Sequence, residues 1–128
     1  MVNASQTATQ NGSQIAATIR QQIGLDSWLA VSAREARWWQ SSETGYITFT
    51  FRFGSRHGLS KWIDVAYNRA TDLYDVKAYK LHRNGCKSTL KIPSEFEPDG
   101  YEYFEYEGIY AESLPDLVRE INRLGEIV

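Results

Sequence analysis

Cysteine, histidine and long apolar runs are scarce in this chain of 128 residues, and each shortage excludes something. Cys86 stands alone, so there is no internal disulfide framework, and a single thiol suits a reducing compartment. The two histidines, His57 and His82, stand in no metal-ligand spacing with Cys86 or with an acid, so no metal is expected. No apolar stretch reaches the ~18 residues of a membrane span. The opening MVNASQTATQNG lacks the basic start and apolar centre of a secretion signal, so the protein is expected to work in the cytoplasm where it is made. A glycine-rich phosphate loop, a nucleophile elbow and a kinase lysine motif are also missing. The abundant carboxylates read as one solvated strip, not as a pair held in contrasting surroundings. No catalytic residue and no cofactor are expected.

What the chain does have is aromatic surface and charge sorted along its length. Aromatic residues make up 13% of it, with four Trp and eight Tyr. Residues 1–94 carry 12 Lys/Arg against 6 Asp/Glu, and residues 95–128 carry 2 against 10, so a balance of +6 and one of −8 leave only −2. The acidic part opens with EFEPDGYEYFEYEGIYAE, where seven carboxylates alternate with six aromatic rings and no cation intervenes. Like charges this close need water or a basic surface, so the segment lies against basic strands of its own fold or faces a basic partner.

The length fits one domain. Residues 1–12 hold little that is apolar and read as a flexible polar tail, with a single α+β domain over 13–128. Ser13 caps an expected helix over Gln14 to Ile23, with Ile15, Ala16, Ile19 and Ile23 on one side and Gly24 ending it. WLAVSAREARWW alternates like a strand and blurs toward helix at Ala33 to Arg37. In YITFTFRF, Ile47, Phe49, Phe51 and Phe53 take one face, opposite Tyr46, Thr48, Thr50 and Arg52, so one face is buried and the other shown. KWIDVAYN and LYDVKAYKLH continue the alternation across a turn near Ala70 to Asp72. Asn84-Gly85 signals a hairpin that returns CKSTLKI antiparallel. After a turn at Pro98-Asp99-Gly100, YEYFEY supplies one more short strand. A last helix follows, capped by Ser113, with Pro115 in its first turn, a stripe of Leu114, Leu117, Val118, Ile121 and Leu124, and Gly125 as its stop. The expected fold is an antiparallel sheet of four to six strands, with the amino- and carboxy-terminal helices packed on one face and the other face open or partly covered.

Two stretches, IAATIRQQIG at Ile15 to Gly24 and GIYAESLPDLV at Gly108 to Val118, together resemble a family of small proteins of tailed bacteriophages and integrated mobile elements, most of them without an assigned activity. Those proteins open with an I-A-x-T-I-x-x-Q-I-G helix, continue with strands that include a D-x-Y-x-V matched here by Asp72, Tyr74 and Val76, and begin the last helix with V-Y-A-D-x-L. Ile109, Tyr110, Ala111, Glu112 and Leu114 match that last motif. The resemblance covers about a third of the chain and implies ancestry more than activity. Its departures are the long polar tail, the Trp38-Trp39 pair and an insertion from Pro93 to Glu107 that holds the acidic-aromatic cluster.

Two binding surfaces follow. Carboxylates interleaved with Tyr and Phe combine steering with rigid apolar area, so Glu97, Asp99, Tyr101, Glu102, Tyr103, Glu105 and Tyr106 are the expected contacts for a host or phage protein, with an anti-defence or host-takeover role implied by the resemblance. The alternative is single-stranded nucleic acid on the open sheet face, through Tyr46, Arg52, Lys77 and Tyr79. Acidic residues near that face oppose it by repelling phosphate. A third arrangement uses the acidic strand internally, paired with Lys77, Lys80, Arg83, Lys87 or Lys91 as an extension of the sheet. An exposed edge strand also leaves a homodimer open.

Overall fold

Ile15, Ala16, Ile19 and Ile23 recur at steps of three and four, and helix α1 (Gly12–Ile23) buries all four. In this computed structural model the described residues are 12–55, 60–81 and 103–127. The tail at 1–11, Cys86, both histidines, the Asn84-Gly85 hairpin, CKSTLKI and the Pro98-Asp99-Gly100 turn lie outside them. Gly12, assigned to the tail by composition, is the first helical residue, and Ser13 lies inside α1 instead of capping it.

Gly24, at φ 86, ends α1 as expected, but the chain does not go directly into a strand. Leu25–Ala30 forms a second, short helix, α2, and the strand β1 is Arg34–Gln40. The order inferred from WLAVSAREARWW is therefore reversed, with helix first and strand second. The reason is tertiary. Trp28 packs against Phe49 and Phe51 with ring centroids 6.0 and 5.0 Å away, and the Arg20 guanidinium lies 4.1 Å over its ring. Ser27 is buried, its hydroxyl donating to the Pro115 carbonyl at 3.2 Å and accepting the Arg119 Nε–H at 2.9 Å. These contacts, all supplied by other elements, override an alternation that extends over only a few residues.

The remaining strands are β2 (Ile47–Phe53), β3 (Ser60–Asn68), β4 (Leu73–Leu81) and β5 (Tyr103–Ile109). They form one antiparallel meander in the order β1-β2-β3-β4-β5. The acidic segment thus takes the internal role in part: its strand pairs with β4, placing Glu105 opposite Lys77. A 3-10 turn (Ala111–Ser113) leads to helix α3 (Leu114–Ile127), which runs through Gly125 instead of stopping there. Helices α1 and α3 cover one face of the sheet, where Ile19, Phe51, Ile63, Val65, Leu114, Val118 and Ile121 meet in a single core. The Tyr74 hydroxyl donates to Gln22 of α1, and burial pushes its pKa up to about 12, so it remains a donor across the ordinary pH range. An α+β fold with both helices on one face of an antiparallel sheet is what the periodicities imply.

Gly54 follows β2 at φ 78, with its N–H donating to the Val31 carbonyl at 2.8 Å. A Cβ there would come within 2.6 Å of the Lys61 side chain. Gly54→Ala is therefore expected to destabilise the fold by about 1–2 kcal/mol, the cost of the left-handed backbone for an L-residue, read as a lower midpoint in thermal melting.

Candidate functional site

Strand alternation sends Thr48, Thr50, Trp62, Asp64, Ala66, Asp75, Lys77 and Tyr79 to the sheet face away from the helices. Asp64 is the unusual member. It stands mid-strand between the buried Ile63 and Val65, in a setting that disfavours aspartate. Its register neighbours account for it, Thr50 on β2 and Lys77 on β4 being directly opposite. The Thr50 hydroxyl donates to Asp64 Oδ1 at 3.0 Å, and the Tyr79 hydroxyl donates to the same oxygen at 3.1 Å. Thr50 Oγ1 in turn accepts the indole N–H of Trp39 at 3.2 Å. Burial raises the pKa of Asp64 above the ordinary aspartate value, and the two hydroxyls, Lys77 and Arg37 only partly offset that effect.

Beside this chain of hydrogen bonds lies a groove of about 240 Å³. Trp39, Thr48, Asp64 and Ala66 line one side, and Asp75, Lys77, Glu105 and Glu107 line the other. Four carboxylates thus surround one lysine. Lys77 Nζ lies 3.9 Å from Glu105 Oε2, and with side chains 43% and 57% exposed that pair contributes no more than about 1 kcal/mol. Asp75 Oδ1 accepts the Gly108 N–H at 3.2 Å, which fixes the irregular register where β5 leaves β4. Trp39 is 46% exposed and forms an aromatic wall. Trp38 points to the other side of β1 and lies against Gly12, where a Cβ would sit 2.1 Å from its ring.

The face is less open than the alternation implies. Thr48, Thr50, Trp62 and Tyr79 are all buried, so β2 hides both of its sides where one was expected to be shown. Side chains on this face pack on one another: the Arg37 guanidinium sits 5.2 Å from the Trp62 ring centre, and Trp62 and Tyr79 form their own apolar cluster. Of the residues expected to stack bases, Tyr79 is 8% exposed and engaged with Asp64, Arg52 is paired with Glu35 at 3.2 Å, and Tyr46 precedes β2, half-buried. Lys77 alone reaches the groove. Of the residues expected to bind a protein, Glu97, Asp99, Tyr101 and Glu102 lie outside the described residues, as does the side chain of Tyr103. Glu105 faces the groove, but the Tyr106 side chain packs against the core on the helix side. The alternation that points Glu105 outward necessarily turns Tyr106 inward.

Asp64, Asp75 and Trp39 are the groove residues that sequence reasoning missed. The available signal was a charged residue inside an otherwise apolar strand, a local conflict of the kind found at functional positions. Among the described residues, no group of three or more His, Cys, Asp and Glu side chains is arranged to hold a metal ion. Nor is any described helix long and apolar enough to cross a membrane. No protein-family model, no curated protein and no solved structure matches the chain.

Proposed function

We propose that the chain is a non-enzymatic binding protein of a phage or mobile element that takes a basic segment of a host or phage protein on its acidic groove. One observation carries this reading: among the described residues, four carboxylates, Asp64, Asp75, Glu105 and Glu107, share a groove with a single lysine and an exposed indole. That surplus of negative charge steers and retains Arg or Lys side chains, and the Trp39 face adds a cation–π surface. Strand β5 supports it from the side. Among the described residues it is the last strand of the sheet, so an extended peptide laid along its outer edge would send alternate side chains toward Glu105 and Glu107. The same charges oppose single-stranded nucleic acid, and the burial of Tyr79 removes the ring that stacking needs.

The test compares an arginine-rich peptide with an oligothymidylate on the full chain. The peptide is expected to bind, with affinity falling at least about tenfold in the double variant Glu105→Lys, Glu107→Lys, a loss of about 1.4 kcal/mol or more. Both positions are exposed, so the variant should fold and melt like the parent. Binding of the oligonucleotide without the peptide, or equal peptide affinity in the double variant, would rule the reading out. A protein captured from nuclease-treated host lysate by the parent and lost with the double variant would identify the partner.

A further inference from the structure

Resting on the reading of the groove as a surface for cations, we propose that Asp64 is a proton-controlled tether for the Trp39 wall: as a carboxylate it holds Trp39 through Thr50, and on protonation it slackens that hold.

Among the described residues β1 is an edge strand, pairing with β2 alone, and its register shifts between Arg34 and Arg37, with Glu35 at φ 55. Trp39 is the β1 residue that the hydrogen-bond chain ties, through Thr50 on β2, to Asp64 on β3, while the Arg37 guanidinium lies over the Trp62 ring. Thr50 transmits the effect because a hydroxyl has one proton and two lone pairs. With its proton committed to Asp64 Oδ1, its lone pairs are turned outward, and one of them accepts the Trp39 N–H. A protonated carboxyl carries a proton of its own and competes for the Thr50 lone pairs. The bonds it still accepts are about half as strong as those to a carboxylate.

The surrounding charges set the direction. From β1, Arg37 favours the carboxylate, and from β4 so does Lys77, with the Tyr79 hydroxyl beside it. From β2 the Thr50 hydroxyl does the same, while Arg52, one step along the same face, is paired with Glu35. Asp75 on β4 and Glu105 and Glu107 on β5 line the far side of the groove. A cation arriving in the groove would favour the carboxylate, drive the proton off Asp64 and so tighten its own aromatic wall. By linkage, the groove holds a basic segment more weakly once Asp64 is protonated. Because burial opposes the charge, the exchange falls above the ordinary aspartate range and closer to neutrality.

The tether can be read in the free protein. In an isotope-labelled full chain, the indole N–H of Trp39, assigned through Trp39→Phe, and the carboxyl carbon of Asp64 are followed by NMR from about pH 3 to about 8. Both signals are expected to titrate with one midpoint above ~4, and the Trp39 signal is expected to be flat in Asp64→Asn. A Trp39 signal that does not move, or that moves alike in Asp64→Asn, overturns the proposal. Should Asp64→Asn not fold, Thr50→Val takes its place. There Asp64 should titrate while Trp39 stays still, and a Trp39 that continues to follow Asp64 overturns the proposal equally. Binding of the arginine-rich peptide should weaken several-fold on the acid side of that midpoint, beyond any change seen in Asp64→Asn, and a parallel pH dependence in both would overturn the regulatory role. Failure of the peptide to bind at any pH falls on the reading of the groove and leaves the coupled titration of Asp64 and Trp39 as a separate result.

Discussion

Phe51→Ala is expected to lower the unfolding free energy by about 3–5 kcal/mol, which is a large share of the roughly 5–15 kcal/mol that holds a domain of this size together. Phe51 has no exposure and stands at the middle of β2, the strand against which α1, α2 and the core face of β3 all pack. Its ring meets Trp28 at 5.0 Å and Phe49 at 5.8 Å, so truncation removes a transfer contribution and also the aromatic contacts that seat α2. Phe49 and Trp28 cannot both collapse into the space, because Phe49 is held in register by Trp38 and Val65 on either side. A cavity therefore remains, which puts the cost toward the upper end of the range. Urea denaturation followed by tryptophan fluorescence should show a lower midpoint at an unchanged slope. A loss of less than about 1 kcal/mol would mean that β2 is not the centre of the core.

Asp64→Asn is expected to act in the opposite direction at neutral pH, raising stability. An asparagine carbonyl can still accept from Thr50 and Tyr79, and the variant has no buried charge to desolvate. The sign follows from linkage. The folded-state pKa of Asp64 is raised above its unfolded value, so between the two values the native state binds more protons than the unfolded one. The contribution of the neutral form is complete below the unfolded value of ~3.9 and is lost as pH rises through the folded value. Each unit of that raised pKa costs the parent about 1.4 kcal/mol by the time Asp64 is ionised. Melting temperatures of parent and variant should be close at low pH and should diverge, with the variant higher, as pH rises above ~4. A difference that is constant with pH would mean that Asp64 ionises as it does in the unfolded chain.

How much of this was legible in the sequence depended on whether the deciding contacts were local. The faces of β2, β3 and β4 and the stripes of α1 and α3 follow from period alone, because each residue's side is fixed by its own strand or helix. The segment from Trp28 to Arg37 failed for the complementary reason. Its helix is held by Ser27 to Pro115 and Arg119, 88 and 92 positions away, and nothing nearby announces that. The groove is intermediate. Lys77 was visible on the outward face of its strand and the acidic strand as something that could pair with it, but the closure of β5 on β4 was needed to bring Glu105 and Glu107 to the groove beside Asp64 and Asp75. The burial of Tyr79 and Trp62 was not visible either, since strand alternation assigns a face and does not say what packs within it.

The link through Ser27 also orders events in time. Six residues are too few for a helix to persist in water on its own nucleation energetics, so α2 depends on what it docks against. The partners that satisfy its serine belong to α3, 88 and 92 positions further along, and so are synthesised after all five described strands. While the ribosome is still making the strands, α2 cannot adopt its native contacts, and Trp28 lacks the neighbour that pins its helix over Phe51. The hydrophobic layer on that side of the sheet therefore closes only after the strands are made, when α3 docks and gives α2 the contacts it lacks.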